Sequence, residues 1–190
     1  MRKLPDMSGV LSDFRILIVP GLHGSGPDHW QTRWQERYPL FERVEQPRWD
    51  VPDLSAWSDC VGRVLDQSEQ PTLIVAHSFG CLASVHRAVT KASVLVGALL
   101  VAPADPDKFG VAAILGQAAL RCPSIVVGST NDPWMDSHRA TDWARRWGSR
   151  FVNAGALGHI NADSGLGDWS FGLSLLDDLI SRVRLPTVQS

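Results

Sequence analysis

The stretch Leu73-Ile74-Val75-Ala76-His77-Ser78-Phe79-Gly80-Cys81 decides the fold. An apolar run rich in β-branched residues reaches a small residue, passes through one serine and meets glycine two positions later. That is the pattern of a strand entering a helix through a sharp turn with the serine at its tip. Such an elbow forces its central residue into a strained backbone conformation and tolerates only small flanking residues. Here Ala76 and Gly80 flank Ser78, with alanine in place of the first glycine of G-x-S-x-G. On this stretch alone the serine reads equally as a helix N-cap or as a nucleophile.

Working outward, apolar runs at Arg15–Val19, Thr72–Ala76, Val94–Val101 and Ser124–Gly128 predict strands buried on both faces, with weaker strands at Arg43–Gln46 and Arg150–Asn153. Helical spacing predicts helices over Asp28–Arg37, over Leu54 to about Gln67 with Asp53 as N-cap, after the elbow, over Asp136–Trp147 and over Asp168–Val183. Residues 107–121 are ambiguous and hold at most a short helix over Ala112–Leu120. Strands alternating with helices imply βαβ units. The expected fold is therefore a three-layer, doubly wound α/β domain with a mainly parallel sheet. The longest connection, Ala102–Pro123, is too short for a lid domain.

Of 190 residues, 44% are hydrophobic and 20% charged, which suits one domain over residues 1–190, with residues 1–14 as a frayed N-terminal segment. The net charge is −2 and the 18 Lys and Arg are scattered, which argues against nucleic acid or an anionic membrane as partner. Cys60, Cys81 and Cys122 form an odd set without C-x-x-C spacing, as expected of reduced thiols in the cytoplasm. No apolar run approaches the ~20 residues of a membrane span, and the N-terminus lacks the apolar region of a signal peptide.

In doubly wound sheets ligands sit at the carboxyl ends of the strands. Three polar residues follow three different strands there: Ser78 in the elbow, Asp132 in Thr130-Asn131-Asp132-Pro133, and His159 in Gly158-His159-Ile160-Asn161. Their chain order, Ser, acid, His, is that of α/β-hydrolase triads. A serine hydroxyl becomes a nucleophile when an imidazole accepts its proton, and a carboxylate on the other ring nitrogen fixes the tautomer and stabilises the imidazolium. The oxyanion formed on attack needs two donors. The amides of Phe79 and of Leu22, in the loop Pro20-Gly21-Leu22-His23-Gly24-Ser25-Gly26-Pro27, are the candidates. Asp105 and Asp107 are the alternative acids, and Asp163 lies too near His159 in sequence to serve. His23 and His29 lack a third ligand at metal-binding spacing, so no metal and no cofactor is expected. His23, Trp49 and Trp134 are candidate pocket residues.

The segments ILIVPGLHGSGPDHWQTRW (16–34), EQPRWD (45–50), VAHSFGCLA (75–83), TNDPW (130–134) and GHINADSG (158–165) resemble the RBBP9/YdeN family, small lidless serine hydrolases of the α/β-hydrolase superfamily. The resemblance runs from about Arg15 to Leu179. It implies the same nucleophile, acid and base, Ser78, Asp132 and His159, and a hydrolase acting on small esters or amides. Some relatives carry a Leu-x-Cys-x-Glu motif for retinoblastoma-type binding. That motif is absent here, the nearest string being Leu65–Glu69, which has no cysteine. The expected activity is that of a carboxylesterase working through an acyl-enzyme. The alternatives are an amidase or aminopeptidase-like hydrolase, and a non-catalytic binding module on a hydrolase scaffold.

Overall fold

The structure, a computed structural model, describes residues 13–91 and 94–184. The segment expected to fray, residues 1–14, lies outside the described residues except for its last two. In chain order the elements are β1 (Arg15–Val19), α1 (Trp30–Arg37), β2 (Glu42–Arg43), α2 (Leu54–Leu65), β3 (Thr72–His77), α3 (Phe79–Thr90), β4 (Leu95–Val101), α4 (Ala112–Leu115), β5 (Ser124–Gly128), α5 (Ser137–Arg146), β6 (Arg150–Asn153) and α6 (Ser170–Arg184). Six strands pair in the order β2-β1-β3-β4-β5-β6, and every pairing is parallel.

The period-two alternation of the strands divides the core into two layers. Leu17, Val19, Ile74, Ala76, Ala98, Leu100 and Val126 face α2, α3 and α5, where they meet Trp57, Leu82 and Trp143. Ile16, Ile18, Leu73, Val75, Leu99, Val101 and Ile125 face α1 and α6, meeting Trp30, Trp34 and Leu176. Both faces are covered, so the strands read as continuous apolar runs rather than as alternating ones.

This winding puts a topological switch between β1 and β3. The chain leaves β1 toward α1 on one face and leaves β3 toward α3 on the other, which opens a crevice at their carboxyl ends. The Gly21–Gly26 loop and the Ser78 elbow both lie there. Among the described residues no helix is long and apolar enough to cross a membrane.

Several element boundaries differ from expectation, among them the following three. The weak strand Arg43–Gln46 shrinks to Glu42–Arg43, although Val44 still donates its N–H to Ile18 O at 2.9 Å before the chain reaches Pro47. The helix expected to Leu120 closes at Leu115, because the Leu120 N–H is taken by the carbonyl of Trp147 at the end of α5, 3.0 Å away. The last helix starts at Ser170 rather than Asp168. The Asp168 carbonyl accepts from Trp34 Nε1 at 2.8 Å, and Trp169 has φ 39°.

The elbow depends on a close approach. A methyl group on Gly80 would stand 2.3 Å from Pro20 O and 2.5 Å from Val19 O. Gly80→Ala must push α3 off the end of β1, and the expected cost is about 3 kcal/mol, a fall in melting temperature of about 6–12 °C. Gly26→Ala is the control, since a methyl group there meets nothing within 4 Å. A thermal melt of the two variants checks this.

Burial also shapes acid stability. His29 is only 4% exposed and caps α1, its Nδ1 accepting from Gln31 N at 3.2 Å. Burial first, then the charges of Arg43 and His159, lower its pKa from 6.5 to about 4. Between these values the unfolded chain binds a proton that the folded chain refuses. Stability is therefore expected to fall as pH drops through this window, by on the order of 3 kcal/mol from this residue. Melts at about pH 7 and about pH 4.5 should show the loss, and His29→Asn, which keeps a capping acceptor without the ring, should reduce it.

Candidate active site

The three strand-end residues converge. Ser78 follows β3 with φ 53° and ψ −124°, outside the conformations an L-residue ordinarily adopts. Packing holds it there. Its N–H donates to Val101 O at 3.0 Å, Gly80 is seated on the end of β1, and a methyl group on Gly21 would stand 2.6 Å from Ser78 Cβ. Glycine at position 21 is what lets the loop after β1 lie against the serine.

His159 Nε2 is 2.9 Å from Ser78 Oγ. Its Nδ1 is 2.9 and 3.0 Å from the two carboxylate oxygens of Asp132. The Asp132 side chain is only 2% exposed and that of His159 11%, so the pair lies largely out of water, where charge interactions are strengthened. Trp134 N donates to Asp132 Oδ1 at 2.9 Å. With Nδ1–H directed at a carboxylate, Nε2 carries no hydrogen and faces the serine hydroxyl as a hydrogen-bond acceptor.

The loop carrying the histidine is tied from two sides. From the acid loop, Asn131 Oδ1 accepts from Gly158 N at 2.7 Å, and Ser129 Oγ accepts from Leu157 N at 2.9 Å. From the opposite side, His77 Nε2 donates to His159 O at 2.9 Å and Trp30 Nε1 to Ile160 O at 2.8 Å. None of these four tethers was singled out from sequence. His77 carried a signal, a polar ring ending an otherwise apolar strand. Asn131 and Ser129 read only as turn residues.

A cavity of about 580 Å³ opens over the serine, its walls including Leu22, His23, Phe109, Trp134 and His159. Leu22 lines it beside Ser78. Phe79 opens α3, so its amide belongs to a first turn whose N–H groups have no partner within the helix. Its ring points away, edge-on to Trp57 at 5.1 Å. His23 and Trp134 line the cavity, Trp134 being 58% exposed at the rim.

Trp49 is not part of the cavity wall, contrary to expectation. Its carbonyl accepts from His23 N at 2.9 Å and its ring packs against Gly24 and, edge-on, against Trp57 at 5.6 Å. It supports the loop from beneath.

The alternative acids have another partner. Asp105, 5% exposed, receives Arg139 Nε and Nη2 at 2.9 and 2.7 Å, and Asp107 bonds the same guanidinium. The two carboxylates raise the Arg139 pKa above its usual value. Asp163 is engaged with Asn161. Among the described residues no three His, Cys, Asp or Glu side chains gather as a metal-ligand set.

The sequence pattern of the family described as serine hydrolase matches residues 16–178. A comparison with curated proteins finds no match. Among solved structures, a protein described as a YdeN-like hydrolase from Pectobacterium atrosepticum is 36% identical, with a TM-score of 0.90 over 93% of this chain and 96% of its own. The ydeN gene product of Bacillus subtilis is 20% identical, with a TM-score of 0.72 over 87% of this chain and 98% of its own. An esterase from a Rhodococcus species is 12% identical, with a TM-score of 0.66 over 91% of this chain and 92% of its own. The last two likenesses speak to the fold alone. With its family pattern spanning most of its length and a relative of 36% identity covering it nearly end to end, the chain belongs to the serine hydrolase family, in the YdeN-like branch of the α/β-hydrolase fold.

Proposed function

We propose that the protein is a carboxylesterase that cleaves small-molecule esters through an acyl-enzyme on Ser78, with His159 as general base and acid and Asp132 as its carboxylate partner. The observation that carries this reading is the unbroken hydrogen-bond chain from Asp132 through His159 to Ser78, ending on a serine held in a strained elbow at the floor of a cavity. Ser78 Oγ attacks the ester carbonyl while His159 Nε2 takes its proton. Asp132 stabilises the imidazolium so formed. The tetrahedral oxyanion is met by the amides of Leu22 and Phe79. Collapse breaks the bond to the alkoxy group, which leaves as the alcohol with the proton from His159. Water, deprotonated by His159, then attacks the acyl-serine, and the acid departs as Ser78 regains its proton.

Ser78→Ala is expected to abolish hydrolysis of p-nitrophenyl butyrate and covalent labelling by a fluorophosphonate probe, and labelling that persists in that variant would rule out Ser78 as nucleophile. Asp132→Asn presents the wrong partner to His159 Nδ1 and should lower kcat roughly ten-thousandfold with little change in melting temperature. Asp105→Asn should leave kcat within about threefold of wild type, since Asp105 is held by Arg139 rather than by the histidine. Matched ester and anilide substrates should favour the ester, and a preference for the anilide would transfer the activity to the amidase class.

A further inference from the structure

We propose that His77 is a positioning residue that sets the distance between nucleophile and base, by tying the strand that ends at Ser78 to the backbone of His159. The proposal rests on the reading of Ser78 and His159 given above.

The geometry singles out this residue. His77 closes β3 and is 5% exposed. A carbonyl only accepts, so the 2.9 Å contact with His159 O places the ring hydrogen on Nε2 and makes His77 the donor. The ring is held between two others, edge-on to His29 at 4.7 Å and to His159 at 5.0 Å. His29 is anchored in turn by its cap on α1. Three further side chains tie the histidine loop, Ser129, Asn131 and Trp30, but they come from β5's loop and from α1. Among these four tethers His77 alone adjoins the nucleophile in the chain. A shift of β3 therefore carries Ser78 and the anchor of His159 together, and their 2.9 Å separation survives.

The chemical identity of the tether fits this work. Burial, followed by the charges of His29 and His159, holds the His77 pKa well below its usual value, so the ring stays neutral beside the base. A cationic tether at that distance would oppose the imidazolium that must form on His159 during attack. A neutral N–H donor holds the carbonyl without that repulsion. Geometry matters at this scale, because displacing a reacting group by about an ångström costs on the order of a hundredfold in rate.

The test compares wild type with His77→Phe, which keeps a ring and removes the donor, and His77→Gln, which restores an N–H donor at about the position of Nε2. With p-nitrophenyl butyrate, His77→Phe is expected to lower kcat about 10–100-fold with KM nearly unchanged, and His77→Gln to recover most of the loss. Equal kcat in His77→Phe and wild type, or a loss of the same size in both variants, would overturn the proposal. If His77→Phe fails to fold, His77→Gln and His77→Met, matched in length and differing in the donor, make the same comparison. Nitrogen NMR of the histidine rings in the wild-type protein gives a readout free of mutation. A neutral His77 protonated on Nε2 is expected, and protonation on Nδ1 would refute the tether. Fluorophosphonate labelling separates the two layers of the argument. Labelling that survives Ser78→Ala removes the nucleophile and this proposal together, whereas Ser78-dependent labelling with unchanged His77→Phe kinetics removes His77 alone.

Discussion

The seating of Gly80 on the carbonyls of Val19 and Pro20 is the contact on which the rest of the site depends. A helix that begins this close to a neighbouring strand leaves its preceding residue no room for ordinary backbone angles, and Ser78 takes φ 53° as a result. That conformation turns the hydroxyl toward His159 Nε2, 2.9 Å away, and the helix that follows opens on amides without a partner inside it. Gly21 completes the arrangement from the other side, because only a residue without a side-chain carbon can lie against Ser78. The strain at Ser78 is borne by two buried layers of side chains.

Around this fixed point the histidine loop is the adjustable part. Ile160 anchors this loop in the core, and hydrogen bonds to its backbone set the position of the residues on either side. Here the amides of Leu157 and Gly158 are held from the loop that carries Asp132, and the carbonyls of His159 and Ile160 from β3 and α1. His159 is therefore located relative to both Asp132 and Ser78. The buried rings of His29, Trp30 and His77 on this side are neutral or apolar, and the carboxylate bonded to His159 is that of Asp132.

The choice of acid shows how electrostatics and topology divide the work. Asp105 and Asp132 both follow strands at the same end of the sheet, and either would satisfy the spacing of a triad. Asp105 is clasped in a two-point fork by Arg139, whereas Asp132 turns both oxygens to His159 Nδ1. A carboxylate in such a fork is already satisfied and fixes the loop after β4 to α5. Trp49 makes a parallel case. It was a candidate pocket residue, and it instead supports the loop that forms a wall.

The strands, the alternation with helices, the elbow and the three strand-end residues were legible in the chain itself, because each is written in local order: β-branched runs, helical spacing, a small-Ser-x-Gly turn and polar residues immediately past apolar ones. Asp53 at the start of α2 was legible for the same reason, since a cap bonds to an amide three residues on. What the tertiary structure decided lies in contacts between segments far apart in sequence. It closed α4 at Leu115, with the Leu120 N–H diverted to the Trp147 carbonyl, and it gave Asp105 to Arg139 and Trp49 to the loop above it. It also made His77, one residue before the serine, a donor to the carbonyl of a residue more than eighty positions later. Hydrogen bonds and ion pairs depend on distance in space, and spacing along the chain carries no record of them until the fold brings their partners together.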